Sequence, residues 1–146
     1  MIGYSMINWN ERFLALAHHI AQWSKDPSTK VGAVIVRPNR TIASVGYNGF
    51  PRGVDDSDAR YNDRSIKYAM TVHAEANAIL SADQRLDDCT MYVTPLHPCS
   101  SCAALIIQSG IKRVVAHMPH DPEHWKDSFA YARAMFDEAG VEVIIA

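Results

Sequence analysis

"TVHAEANAIL" spans Thr71–Leu80 and "HPCSSC" spans His97–Cys102. A histidine, a glutamate two places on, and then Pro-Cys-x-x-Cys are the residues from which the fold can be read. Zinc prefers tetrahedral nitrogen and sulfur ligands, and three protein ligands leave a fourth position for water. Cys99 and Cys102 lie at the expected start of a helix. Three residues nearly complete a turn, so both thiols can face one point. A helix N-terminus and a nearby metal both favour the thiolate that zinc needs. His73 supplies a third ligand from the opening of the preceding helix. Two helix starts are therefore expected to meet at the carboxyl ends of neighbouring strands, where open α/β sheets place their sites.

Glu75 decides whether such a zinc is structural or catalytic. On a regular helix it lies about 200° round from His73. At a first turn the histidine can instead hold nonhelical geometry, and both side chains then approach one cavity. A carboxylate there takes a proton from water and delivers it to a ring nitrogen and a leaving amine. Zinc lowers the pKa of bound water toward about 7, which makes hydroxide available at neutral pH. Attack on C4 of a cytosine ring, with loss of ammonia, is the reaction that suits these groups.

Working outward, Asn8 and "WNERFLALAHHIAQWS" read as a capped helix with Phe13, Leu16, Ala17, Ile20 and Trp23 at helical spacing. Pro27 disfavours helix at Asp26. "KVGAVIVR" and "TIASVGYN" are β-rich runs joined by "PNR", a hairpin. "GFPRGVDDSDARYNDRS" reads as a long loop, and helix is expected from about Ile66 to Ala82. "CTMYVT", "KRVVAH" and "VEVIIA" read as strands, separated by helices in "SCAALIIQSG" and "SFAYARAMFDEAG", the latter closed by Gly140. This order predicts a three-layer α/β domain with a mixed central sheet of about five strands, the later ones parallel.

The 146 residues suit one domain, residues 1–146, with an ordinary 48% apolar and 21% charged balance. A formal charge of −2 lacks the basic field of duplex nucleic-acid binding. No apolar run is long enough to cross a bilayer, and the start carries no signal-peptide pattern. An odd count of 3 cysteines, two of them in Cys-x-x-Cys, suits a reducing cytoplasm and a metal. Cys89 reads as a small buried residue. His18, His19, His117, His120 and His124 read as ordinary polar groups, and Trp125 as a packing residue.

His-Ala-Glu followed by Pro-Cys-x-x-Cys matches the signature of zinc-dependent deaminases. The chain thereby resembles the cytidine deaminase superfamily. Its segments "DPSTKVGAVIV", "GYNGFPRG", "HAEANAI", "CTMYVT" and "CSSCAALIIQSGIKRV" are similar to the deoxycytidylate (dCMP) deaminase family. Val72 stands where that family usually has cysteine, and Ser100 and Ser101 where an acidic residue is often found.

The resemblance implies the cytidine-deaminase-like fold, one catalytic Zn2+ on His73, Cys99 and Cys102, and Glu75 as the proton carrier. It implies Asn48 at the nucleotide sugar, and Lys30 and Ser28 near the 5′-phosphate. It further implies an effector segment containing Gly49 and Arg52, sensing dCTP and dTTP together with Mg2+, in a homo-oligomer. The reaction expected is dCMP and water to dUMP and ammonia, with no membrane or duplex nucleic-acid partner. Rival readings are a deaminase of a nucleoside, a tRNA adenosine or another heterocycle, and a zinc module that senses nucleotides without turnover. The last leaves Glu75 without a purpose.

Overall fold

The structure is a computed structural model that describes residues 8–118, 123 and 126–146, so the expectations for His120, His124 and Trp125 lie outside the described residues. Helix α1 (Trp9–Ala21) opens on Asn8, whose Oδ1 accepts the Glu11 amide at 2.8 Å. Phe13, Leu14, Ala17, Ile20 and Ala21 form its buried face. Trp23 was expected on that face, but the helix ends before it. Its ring is 53% exposed and packs edge-on against Tyr47.

Strands β1 (Gly32–Val36) and β2 (Ile42–Tyr47) form the expected antiparallel hairpin. Strands β3 (Thr90–Thr94), β4 (Arg113–Ala116) and β5 (Glu142–Ile145) complete one mixed sheet in the order β2-β1-β3-β4-β5. β1 and β3 are antiparallel, whereas β3, β4 and β5 are parallel. Helices α5 (Ser100–Gln108) and α6 (Lys126–Ala139) make the two crossovers that a parallel pairing requires. Gly140, at φ +76°, closes α6, with the Val141 amide reaching back to the Phe136 carbonyl at 2.8 Å. Only a residue free to adopt left-handed backbone makes this turn cheaply.

All five residues of β1 are buried, because both faces of the sheet are covered. Ala33 and Ile35 join a core with Met91, Val93, Val114, Ile106 and Phe136. Val34 and Val36 face the other way, onto Phe13, Leu14 and Ala17 of α1. The result is the three-layer arrangement expected from the sequence. Among the described residues no helix is long and apolar enough to cross a membrane.

The stretch between β2 and β3 departs from expectation. Residues read as loop contain α2 (Asp58–Asn62), and α3 begins at Arg64. The single helix expected from Ile66 to Ala82 is two, α3 (Arg64–Met70) and α4 (Ala74–Ser81). Three things produce these starts and stops. Asp63 caps α3 by accepting the Ser65 and Ile66 amides, the Thr71 backbone is extended, and Val72 pairs with Gly49 as an isolated β-bridge. Pairing Val72 to Gly49 makes extended backbone obligatory just before His73.

Helix α4 lies directly on β2. A Cβ at Gly46 would fall 2.4 Å from the Ala78 nitrogen and 2.5 Å from the Ala74 carbonyl oxygen. Ser44 Oγ donates to the Ala78 carbonyl at 2.7 Å, fixing the helix's position. Gly46→Ala meets backbone that cannot rotate aside, so it is expected to cost about 1–3 kcal/mol of stability. Urea denaturation checks this, and an unchanged midpoint contradicts the close approach.

Candidate metal centre and active-site cavity

His73 and Cys99 occupy equivalent places in two different helices. Each is the N-cap, of α4 and α5 respectively, with extended backbone at φ −69°, ψ 153° and φ −73°, ψ 173°. Neither side chain caps its own helix, so both are available to a ligand. Cys102 is one turn into α5 and buried. His73 Nδ1 lies 3.3 Å from Cys102 Sγ and 3.5 Å from Cys99 Sγ, and all three donor atoms fall within 4.8 Å of one another. Tetrahedral zinc with ordinary bond lengths separates a nitrogen from a sulfur ligand by about 3.6 Å. The donor set therefore fits zinc in both chemistry and spacing.

The two thiols differ electrostatically. A hydrogen bond from Cys102, aided by His73, draws Cys99 down to about 4. Cys102 is pushed up, first by holding the shared proton toward Cys99 and then by burial. His73 is raised by its hydrogen bond to Cys99. A dication among these atoms favours the loss of the remaining thiol proton, as metal binding to cysteine does generally.

Glu75 sits in the first turn of α4 and is 5% exposed. Burial pushes its carboxyl up to about 7, opposed by its own backbone amide and by His73. Because His73 holds extended rather than helical backbone, both residues reach the same cavity. That cavity, of about 520 Å³, is lined by His73, Glu75 and Cys99 together with Asn48, His97 and Phe129.

The whole arrangement has relatives. Residues 7–118 match the family described as the cytidine and deoxycytidylate deaminase zinc-binding region. The chain belongs to that family. An uncharacterized deaminase from the luxG 3′ region of Aliivibrio fischeri is 49% identical, with 92% of this chain and 91% of that protein covered. The deoxycytidylate deaminase of Homo sapiens is 42% identical over 92% of this chain and 78% of that protein. Among solved structures, the dCMP deaminase of cyanophage S-TIM5 in complex with dCMP and dUMP superposes with a TM-score of 0.73. It is 25% identical, with 93% of this chain and 95% of that one covered. The protein is thus a zinc-dependent hydrolytic deaminase.

The deaminase cavity gathers most of the residues expected from the sequence. Ser28 and Asn48 line it beside the metal donors. Lys30, Gly49 and Arg52 do not. The Lys30 ammonium donates to the Ser24 carbonyl, and Gly49 is held in its bridge to Val72. Asn48 is largely committed to the chain itself. Its Oδ1 accepts the Val31 amide at 2.8 Å, and its Nδ2 donates to the Thr29 carbonyl at 3.0 Å and to Asp26 at 3.5 Å.

Several cavity residues escaped the reading of the sequence. His97 is buried, donates Nδ1–H to the Pro98 carbonyl at 2.8 Å, and stands edge-on to Phe129 with ring centroids 5.4 Å apart. Its place inside "HPCSSC" was the available signal. Arg64, Lys67 and Tyr68 also line the cavity, from a helix the sequence reading began too late to include the first of them. Ser128 of α6 accepts the Ser100 amide at 2.9 Å, satisfying one of the open donors at the start of α5. No sequence pattern links those two serines.

Cys102→Ala removes one of only three donors from this cluster. The variant is expected to lose most of its zinc on dialysis, read by atomic absorption. Full zinc retention would remove Cys102 from the ligand set.

Proposed function

We propose that this chain hydrolyses dCMP to dUMP and ammonia in the cytoplasm. The observation that carries the reading is the buried Glu75 carboxyl in a cavity of about 520 Å³ that His73 and Cys99 also line, with the Cys102 donor within 4.8 Å of theirs. Resemblance in sequence and fold to deoxycytidylate deaminases supports the choice of substrate.

In this reading His73 Nδ1 and the two thiolates hold the zinc, which supplies Lewis acidity that lets water act as a nucleophile near neutral pH. Glu75 accepts a proton from water as its oxygen bonds to C4 of the cytosine ring, and returns that proton to N3. It next takes the second proton of the same oxygen and passes it to the exocyclic amine. The C4–N4 bond then breaks with its electron pair on nitrogen, and ammonia leaves behind a uracil ring. Burial suits Glu75 to both halves of this task, since a carboxyl raised toward neutrality both gains and releases a proton readily. His97 and Phe129 wall the cavity and offer apolar ring surface to the base.

Ammonia release from zinc-loaded protein, with dCMP, dCTP, deoxycytidine and 5-methyl-dCMP in parallel, tests the reading. A monophosphate preference is expected. Glu75→Gln is expected to keep its zinc and lose about 100-fold or more in turnover, the ordinary contribution of a general acid–base. A near-normal rate in that variant would remove the mechanism, and absence of release from dCMP would remove the substrate.

The same reading extends to control by dCTP and dTTP with Mg2+ at the segment holding Gly49 and Arg52, in a self-associated enzyme. Support comes from the Gly49–Val72 bridge, which joins that segment to the residue before His73. Added dCTP with Mg2+ is expected to raise turnover at low dCMP and dTTP to lower it. A flat response to both would remove this control.

A further inference from the structure

The sequence directed attention to Lys30 and Ser28 for the phosphate, but the cationic side chains lining the cavity come from α3. Arg64 and Lys67 are three residues apart on that helix and therefore share one face. Tyr68 lines the same cavity one turn on from Arg64. Their charges are differently committed. Lys67 Nζ lies 2.8 Å from Asp26 Oδ1, and Asp26 is itself 3% exposed. That carboxylate is held in place by the Ser28 and Thr29 amides at 2.8 and 3.1 Å. One buried anion thus fixes Lys67 and leaves two ammonium hydrogens for another acceptor.

Arg64 has no carboxylate partner among the described residues. Its Nε and Nη2 both donate to the Tyr68 hydroxyl, at 3.2 and 2.9 Å, and the guanidinium lies 5.3 Å over the Tyr68 ring. The tyrosine orients the guanidinium without neutralising it. Helix α3 ends at Met70, and the extended residue after it, Thr71, is also a cavity residue and only two places before His73. Seven residues of helix place Arg64 about 10 Å back from Thr71 along the axis.

We infer that Arg64, with Lys67 and the Tyr68 hydroxyl, receives the 5′-phosphate, so that α3 makes this cavity select a nucleotide over a nucleoside. The inference rests on the dCMP reading for the identity of the base. An arginine that lacks an acidic partner, pre-set by a neutral hydroxyl, is suited to grip a phosphate through paired N–H donors. Lys67 adds charge at the same face while Asp26 keeps it from swinging into solvent. Lys30, outside the cavity and engaged by the Ser24 carbonyl, has no part in it.

The test compares calorimetric binding of dUMP and deoxyuridine to zinc-loaded wild type, Arg64→Gln and Arg64→Lys, with dCMP turnover of the wild type measured alongside. Loss of a hydrogen-bonded charge predicts about 10- to 150-fold weaker dUMP binding in Arg64→Gln. The preference for dUMP over deoxyuridine should shrink by a similar factor. Arg64→Lys should recover part of the loss, because charge returns without the fork. Equal loss for both ligands, or undiminished dUMP binding, overturns the assignment even if the wild type deaminates dCMP. Arg64-dependent dUMP binding without dCMP turnover upholds the phosphate site and refutes the proposed reaction. Absence of both refutes both.

Discussion

An imidazole nitrogen and two sulfurs can share one metal ion only if they lie within a few ångströms of a single point. These donors belong to segments separated by a whole strand, so that requirement governs the placement of α4, β3 and α5 together. The fold meets it by making His73 and Cys99 the residues at which two helices begin. A residue at that position has extended backbone and a side chain free of the helical spiral, which lets it turn toward the neighbouring helix. Glu75 then follows in the first turn of α4, where regular helix begins and burial is nearly complete.

Holding α4 in that position depends on contacts well away from the donors. Gly46 lets the helix touch β2, Ser44 ties its carbonyl at Ala78, and the Gly49–Val72 bridge sets the approach to His73. On the other side of the cavity Asn48 ties the segment from Thr29 to Val31, and Asp26 ties the segment from Ser28 to Thr29. Each of these polar groups is satisfied mainly by backbone. A buried amide or carboxylate used in this way rigidifies a loop that has no regular structure of its own.

Legibility in the sequence followed the range of the interactions involved. The strands were readable because residues buried on both faces leave short apolar runs, as in Gly32–Val36 and the Met-Tyr-Val centre of Thr90–Thr94. The donor cluster was readable because cysteine, histidine and glutamate at those intervals have few other uses. The break between α3 and α4 was not, since it is imposed by a β-bridge to Gly49, far away in the chain. Trp23 was misplaced because apolar spacing persists past the point where the helix stops. Lys30 drew attention through its neighbours in the sequence, whereas Arg64 lies near the end of a stretch that reads as loop and Lys67 carries no motif within the helix expected from Ile66. What distinguishes them is the cavity they face and, for Lys67, the buried Asp26 carboxylate that holds it.

The match to the family's zinc-binding region ends at residue 118, yet two contributors to the site lie beyond it. Ser128 receives an amide from the opening turn of α5, and Phe129 forms part of the cavity wall against His97. The zinc-binding region and the set of residues that wall its cavity are therefore not the same stretch of chain. A chain cut at residue 118 would retain His73, Glu75, Cys99 and Cys102, but would lack the Phe129 wall of the cavity and the Ser128 hydroxyl at the start of α5.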